Sequence, residues 1–371
     1  MFRKSSEGKT ASNVSITETA PCQKAVRVRV SRDAIAPVRS AVLAEFQKAA
    51  AIPGFRKGKA PVGVVERQHA EAIQQETLQR VTHQTLEQVA RDHQLKPVGP
   101  FEVHRADFTD AEGLSLEATV EVEPAFALAS YQGVALTRRP AEVSVEEVDK
   151  AVQSLRESMA HVTPGASGEA KAPQVPALDD ELAKDLGFKT LQELTDHVRA
   201  KLLEQKRAAQ SEALTNDLYD ELLRRHAFQV PAGLVGHQTE RLKRDFTVRL
   251  LMSGVPEQEA PKQLEQFTEQ LRTSAERHVK LAFILERIAE QEQVAVTQDE
   301  VVGRLWQLAK RWKKDPGEVR KLFDERGLWP SVISSIRNEK TTAKLLAAAN
   351  VRDGVAPSAP VAPAPTGGKQ A

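Results

Sequence analysis

The chain has 371 residues, enough for roughly two or three domains. Its 52 Lys and Arg balance 51 Asp and Glu, which excludes a global attraction to nucleic acid or acidic membrane and leaves any such contact to a local patch. One cysteine, Cys22, excludes an intramolecular disulfide and a multi-cysteine metal cluster. No apolar run reaches the length of a membrane span, and the charged start MFRKSSEGKTASN has no apolar signal core, so a cytoplasmic, reducing setting is expected.

Residues 1–20, rich in Ser, Thr, Lys and Glu, read as a disordered leader. Val26, Val28 and Val30 then alternate with Arg27 and Arg29, the period of a half-buried strand. Ser31 is placed to cap the next helix through its hydroxyl, and Ile35, Val38, Val42 and Phe46 recur at helical spacing. The helix stops before Pro53-Gly54, a short basic loop runs to Pro61, and helical patterning resumes from Val62 until Pro97 ends it. Strands are expected around 98–104 and 114–123, the second alternating Leu114, Leu116, Ala118, Val120 and Val122. The order strand, helices, strand, strand predicts a compact α+β domain over 21–128.

From Val143 onward the pattern is almost wholly helical. Ser144-Val145-Glu146-Glu147 reads as a capping box one residue short of ideal, opening a linking helix within 129–160. Residues 161–177 are Pro, Gly, Ser and Ala rich, the composition of a linker. Helices are predicted over 179–186, 190–227, 231–252, 256–291, 297–313, 315–326 and 329–349, forming an all-α domain over 178–350. The Ala/Pro end, 351–371, reads as a disordered tail.

Charge is unevenly placed: residues 21–100 hold 13 Lys and Arg against 7 Asp and Glu, while 101–150 hold 4 against 11. The basic block contains Pro53-Gly54-Phe55-Arg56-Lys57-Gly58-Lys59-Ala60-Pro61. Two prolines and two glycines make a turn, and a plain surface turn is one reading. The other is contact with an RNA-bearing or acidic partner, because Arg56, Lys57 and Lys59 can neutralise phosphates while Phe55 supplies a stacking or apolar anchor. A nucleotide-binding P-loop would need four residues between its glycines and a hydroxyl after the lysine; here three stand between Gly54 and Gly58, and Ala60 follows Lys59.

Gly54-Phe55-Arg56, Gly58-Lys59 and Pro61 match the G-F-R-x-G-K-x-P signature of trigger factor, the bacterial ribosome-associated chaperone family, and the chain resembles that family over about 21–160 and 176–350. The C-terminal part of the resemblance begins at Val175-Pro176-Ala177-Leu178-Asp179-Asp180-Glu181-Leu182 and Leu186-Gly187-Phe188. It implies an α+β ribosome-binding domain followed by an all-α chaperone domain with helical arms. It further implies docking at the tunnel exit of the large ribosomal subunit, on protein and RNA, through Phe55, Arg56 and Lys57 with Gly54, Gly58 and Lys59. Nascent or unfolded polypeptides would be the other partners, with self-association possible. Members usually carry a prolyl isomerase domain of the FK506-binding type, for which the 17 residues of 161–177 leave no room, since a domain needs roughly 50. A chaperone that is not an enzyme, with no cofactor, is therefore expected; the alternatives are a prolyl isomerase or a ribosome-independent holdase of the periplasmic type.

Other motifs carry little. His69-Ala70-Glu71 has the H-x-E spacing of zinc deaminases without the required P-C-x-x-C, no H-E-x-x-H or G-x-S-x-G occurs, and Cys22 reads as an incidental thiol, so neither a catalytic residue nor a metal site is expected. Apolar stripes in the helical half are either core or client-binding surface. Leu250 and Met252, then Leu305, Trp312, Phe323 and Trp329, are the candidates for contact with clients.

Overall fold

The computed structural model describes residues 11–109, 113–159 and 177–354, and the chain divides into two units. The first ten residues of the expected leader, most of the 161–177 linker and the tail beyond 354 lie outside the described residues.

The N-terminal elements are β1 (Ala11–Ala20), β2 (Gln23–Val30), α1 (Arg32–Ala49), α2 (Val62–Gln68), α3 (Ala70–Asp92), β3 (Glu102–Thr109) and β4 (Gly113–Glu121). The strands form one antiparallel sheet in the order β1-β2-β4-β3. Its register sets Val26 opposite Ala118, Val28 opposite Leu116 and Val30 opposite Leu114, so the apolar residues of both strands share one face. Ile35 of α1 and Val81, Leu86 and Val89 of α3 join them in one buried core.

Two expectations need correction here. Residues 11–20 are not leader: they form β1, and Val14 and Ile16 pack on the core opposite Val28 and Val26. Two apolar positions among polar ones give too weak an alternation to see until β2 supplies the hydrogen-bond partners. Ser31 holds the N-cap position of α1 in extended backbone, but its hydroxyl makes no capping bond. The helical stretch expected from Val62 to Pro97 is divided at His69, which closes α2 and opens α3, and ends at Asp92.

Beyond the sheet come β5 (Ala135–Arg138), α4 (Val145–Ser158), α5 (Asp180–Asp185), α6 (Leu191–Arg225), α7 (Ala232–Met252), α8 (Ala260–Gln291), α9 (Gln298–Trp312), α10 (Pro316–Arg326), α11 (Trp329–Ala347) and β6 (Asn350–Asp353). Most helix boundaries lie within a residue or two of the proline and glycine punctuation that predicts them; α8 starts four residues later than expected, at Ala260 rather than 256. The capping box at α4 is complete, because Glu147 is the third helical residue: its N–H donates to Ser144 Oγ at 3.3 Å and its carboxylate accepts from Ser144 N at 2.9 Å. α4 packs on α6, where Lys206 Nζ lies 2.6 Å from Glu147 Oε2.

The helical half is not one continuous domain. Residues His226–Ile284, with α7 and most of α8, belong to the same unit as the sheet, while Leu128–Arg225 and the chain from Leu285 form the other. Nor is the second unit purely helical: β5 and β6 pair in parallel, Ala135 beside Asn350 through Arg138 beside Asp353. Residues 351–353 are therefore strand rather than tail. Two four-residue segments so far apart in the chain carry no local pattern from which their pairing could be read.

Candidate functional site

The loop between α1 and α2 is two consecutive turns. Phe55 N donates to Ile52 O at 3.1 Å and Lys59 N donates to Arg56 O at 2.9 Å. Each turn has a glycine with positive φ at its third position, Gly54 at 87° and Gly58 at 78°, and Pro53 presets the second position of the first turn. The stem is pinned from within: Ile52 and Ala60 are buried with Val42, Val65 and Ile73, and Gln47 Nε2 donates to Ala60 O at 2.8 Å. A fixed base and two stiff turns hold the tip in one shape without burying it.

The tip carries the predicted residues outward. Phe55 is 44% exposed, although aromatic rings usually seek cover. Arg56, Lys57 and Lys59 are exposed, and among the described residues their side chains make no hydrogen bond or ion pair. Two arginines on the neighbouring helices are paired instead: Arg39 lies 2.7 Å from Glu66, and Arg80 lies 2.6 Å from both Glu45 and Glu76. Glu45 and Glu76 raise the Arg80 guanidinium above its ordinary pKa through those hydrogen bonds. The sequence did not single out Val62 and Val64, which are exposed in the first turn of α2, directly after the loop. The available signal was an apolar cluster directly after Pro61, in a helix too short to bury all of it.

The second set of candidates separates. Leu250 is half-buried near the end of α7, while Met252 is 84% exposed. Val248, Leu251 and Phe267 of α8 are also exposed, and Phe246 packs on Phe267 with ring centroids 5.2 Å apart. Leu305, Phe323 and Trp329, by contrast, are core. Phe323 is buried with Ala309 and Val319, and Leu305 and Trp329 pack against that cluster. Trp312 stacks on Phe323 at 6.2 Å yet stays 44% exposed. The close packing of α9, α10 and α11 consumes the stripe that their spacing advertises.

Among the described residues no cluster of three His, Cys, Asp or Glu side chains could hold a metal. His69 packs its ring against Phe46, centroids 6.0 Å apart. Cys22 sits in the β1–β2 turn at a φ of 60° and donates its thiol to Gln229 O at 3.3 Å; burial, with Glu121 and Glu18 nearby, pushes its pKa up and makes it a poor nucleophile. Among the described residues no helix is long and apolar enough to cross a membrane.

Comparison with known proteins assigns most of the chain to one family. Residues 12–155 match the family model of the bacterial trigger factor protein, and residues 190–347 match that of its C-terminus. Trigger factor from one strain of Thermus thermophilus is 27% identical over 82% of this chain and 92% of its own length. That of Solibacter usitatus is 22% identical over 87% of this chain and 96% of its own; the alignment takes 406 positions, so the relative carries residues with no counterpart here. A solved trigger factor chaperone, described for promiscuous substrate recognition in folding and assembly, superposes with a TM-score of 0.50 at 18% identity, covering 91% of this chain and 99% of that one.

Proposed function

The chain belongs to the trigger factor family, the bacterial ribosome-associated chaperones of protein folding, and from that premise we propose how its own residues divide the work. Residues 54–59 dock it at the tunnel exit of the large ribosomal subunit. The observation that carries this is the loop tip: an exposed aromatic ring and three cations without partners, on two turns whose shape is set by Gly54 and Gly58. Arg56, Lys57 and Lys59 neutralise phosphates or acidic side chains of the tunnel rim, and Phe55 fills an apolar or stacking site between them. Docking raises the effective concentration of the chaperone near each emerging chain.

Once docked, the protein holds. The exposed group Val248, Leu251, Met252 and Phe267 covers apolar stretches of a nascent chain until their own partners are made, and the polarizable Met252 adapts to varied sequences. Neither nucleotide nor cofactor enters this cycle, and the setting is the cytoplasm. Prolyl isomerisation is not part of it: the two family segments end at 155 and begin again at 190, too short an interval for a further domain.

Ribosome co-sedimentation tests the docking role. Replacing Phe55, Arg56 and Lys57 together by Ala keeps the glycines and prolines, so the fold should persist by circular dichroism while binding weakens at least tenfold. Undiminished co-sedimentation would remove the loop from this role. Turnover of a proline peptide by the purified protein, inhibited by a ligand of FK506-binding domains, would favour the isomerase alternative.

A further inference from the structure

We propose that the C-terminal end of α9 is a binding surface for single-stranded RNA, separate from the docking loop. Lys310, Arg311, Lys313 and Lys314 fall within five residues there, all exposed. Among the described residues none of the four makes an ion pair or side-chain hydrogen bond. Several other basic side chains of the same unit are matched: Arg304 with Glu339, Lys340 with Glu300 at 2.7 Å, Lys344 with Glu292 at 2.5 Å and Lys206 with Glu147 at 2.6 Å. The acid next to the run, Asp315, is committed to capping α10 through Gly317 N at 2.7 Å.

The helix dipole favours a cation or two in a last turn, which accounts for Lys310 or Arg311 alone. It does not account for Lys313. That residue closes α9 in the left-handed region at a φ of 53°, where glycine is the ordinary choice, and Lys314 N donates to Ala309 O at 3.0 Å to complete the turn.

Two tryptophans flank the run. Trp306, one helical turn before Lys310 on the same outward face, is 61% exposed. Trp312 rests on Phe323 while remaining 44% exposed. Indole faces between unpaired cations are what an unstacked nucleic acid strand uses: bases stack on the rings and phosphates meet the cations. An acidic peptide would use the charges but not the flat apolar faces, and a duplex offers no free bases to stack.

All three tryptophans, Trp306, Trp312 and Trp329, lie in α9 and α11, so indole emission reports on this surface and not on residues 54–59. A single-stranded oligouridylate of about ten nucleotides added to the full chain should quench that emission, with log affinity falling against log salt at a slope of about −3 for four cations. Changing Lys310, Arg311, Lys313 and Lys314 together to Gln should weaken binding of the labelled oligonucleotide, read by anisotropy, at least tenfold with the helical signal intact. Trp306→Leu, at an exposed position, should weaken it severalfold. The Phe55, Arg56 and Lys57 triple variant should retain the quench, so ribosome docking and this surface fail independently. Retention of binding by the four-Gln variant, loss of the quench in the loop variant, or equal quenching by a polyglutamate peptide would each overturn the inference, the last in favour of an acidic-peptide site.

Discussion

The carboxylate of Glu121, at the end of β4, accepts a hydrogen bond from the backbone N–H of Gly233 at 2.6 Å. Gly233 lies in the first turn of α7, whose preceding residue is Pro231 and whose terminus has no side-chain cap of its own. A residue of the sheet thus serves as the missing cap and places negative charge at the positive end of the helix. Removing it by Glu121→Ala should cost about 1 kcal/mol in urea unfolding. Gly233→Ala would put a methyl 2.7 Å from Glu121 Oε2 and displace the same carboxylate. The two changes together should cost less than the sum of each. Full additivity would mean that the contact contributes nothing.

Loop shape and loop charge can be separated. Gly54→Ala and Gly58→Ala remove no cation, but each forces an L-residue to a φ of 87° or 78°, at about 1 kcal/mol or more of backbone strain. An added Cβ meets nothing within 4 Å at Gly54 and only ordinary contacts at Gly58, so strain alone acts. The double variant should co-sediment with ribosomes several times more weakly than wild type while melting within a few degrees of it. Unchanged co-sedimentation would show that charge suffices without the turns.

The two sets of apolar candidates should respond in opposite ways. Leu251→Ser with Met252→Ser alters exposed side chains, so stability should change by no more than about 0.5 kcal/mol while the delay in aggregation of a denatured protein, followed by light scattering, shortens clearly. Phe323→Ala empties a buried site and should cost about 3 kcal/mol. Normal holding by the serine variant would move client binding away from the end of α7.

Acid should expose a local linkage at the end of α6. Hydrogen bonds from Arg224 and Arg225 hold the Glu221 carboxyl down to about 2. A depressed carboxylate pKa stabilises the fold above the unfolded value of about 4.3 and loses that contribution as pH falls through the folded value. Glu221→Gln should therefore be less stable than wild type at pH 7, by about 1 kcal/mol at most because Arg224 is largely exposed. The difference should shrink steadily between pH 4.5 and pH 2. A constant difference across that range would assign the loss to packing rather than charge.

Local chemistry made much of this protein legible. Proline and glycine punctuation placed α5 through α11, α8 apart, within a residue or two, and alternation placed β2 and β4, because those signals act between neighbours in the chain. The loop was legible for the same reason: Gly54, Gly58 and Pro53 dictate turns whatever surrounds them, and a turn that excludes its own side chains from the core leaves Phe55 and three cations outside. What the tertiary structure alone decided was which partner each element meets. β1 exists because β2 offers it a hydrogen-bonding edge, and β5 finds β6 more than two hundred residues away. Residues 226–284 join the sheet's unit although they read as part of one helical run. Phe323 and Met252 look alike as apolar positions on helices, yet one is sealed by α9 and α11 and the other is bare. A helical period states which face is apolar; only a neighbouring element at packing distance determines whether that face is covered.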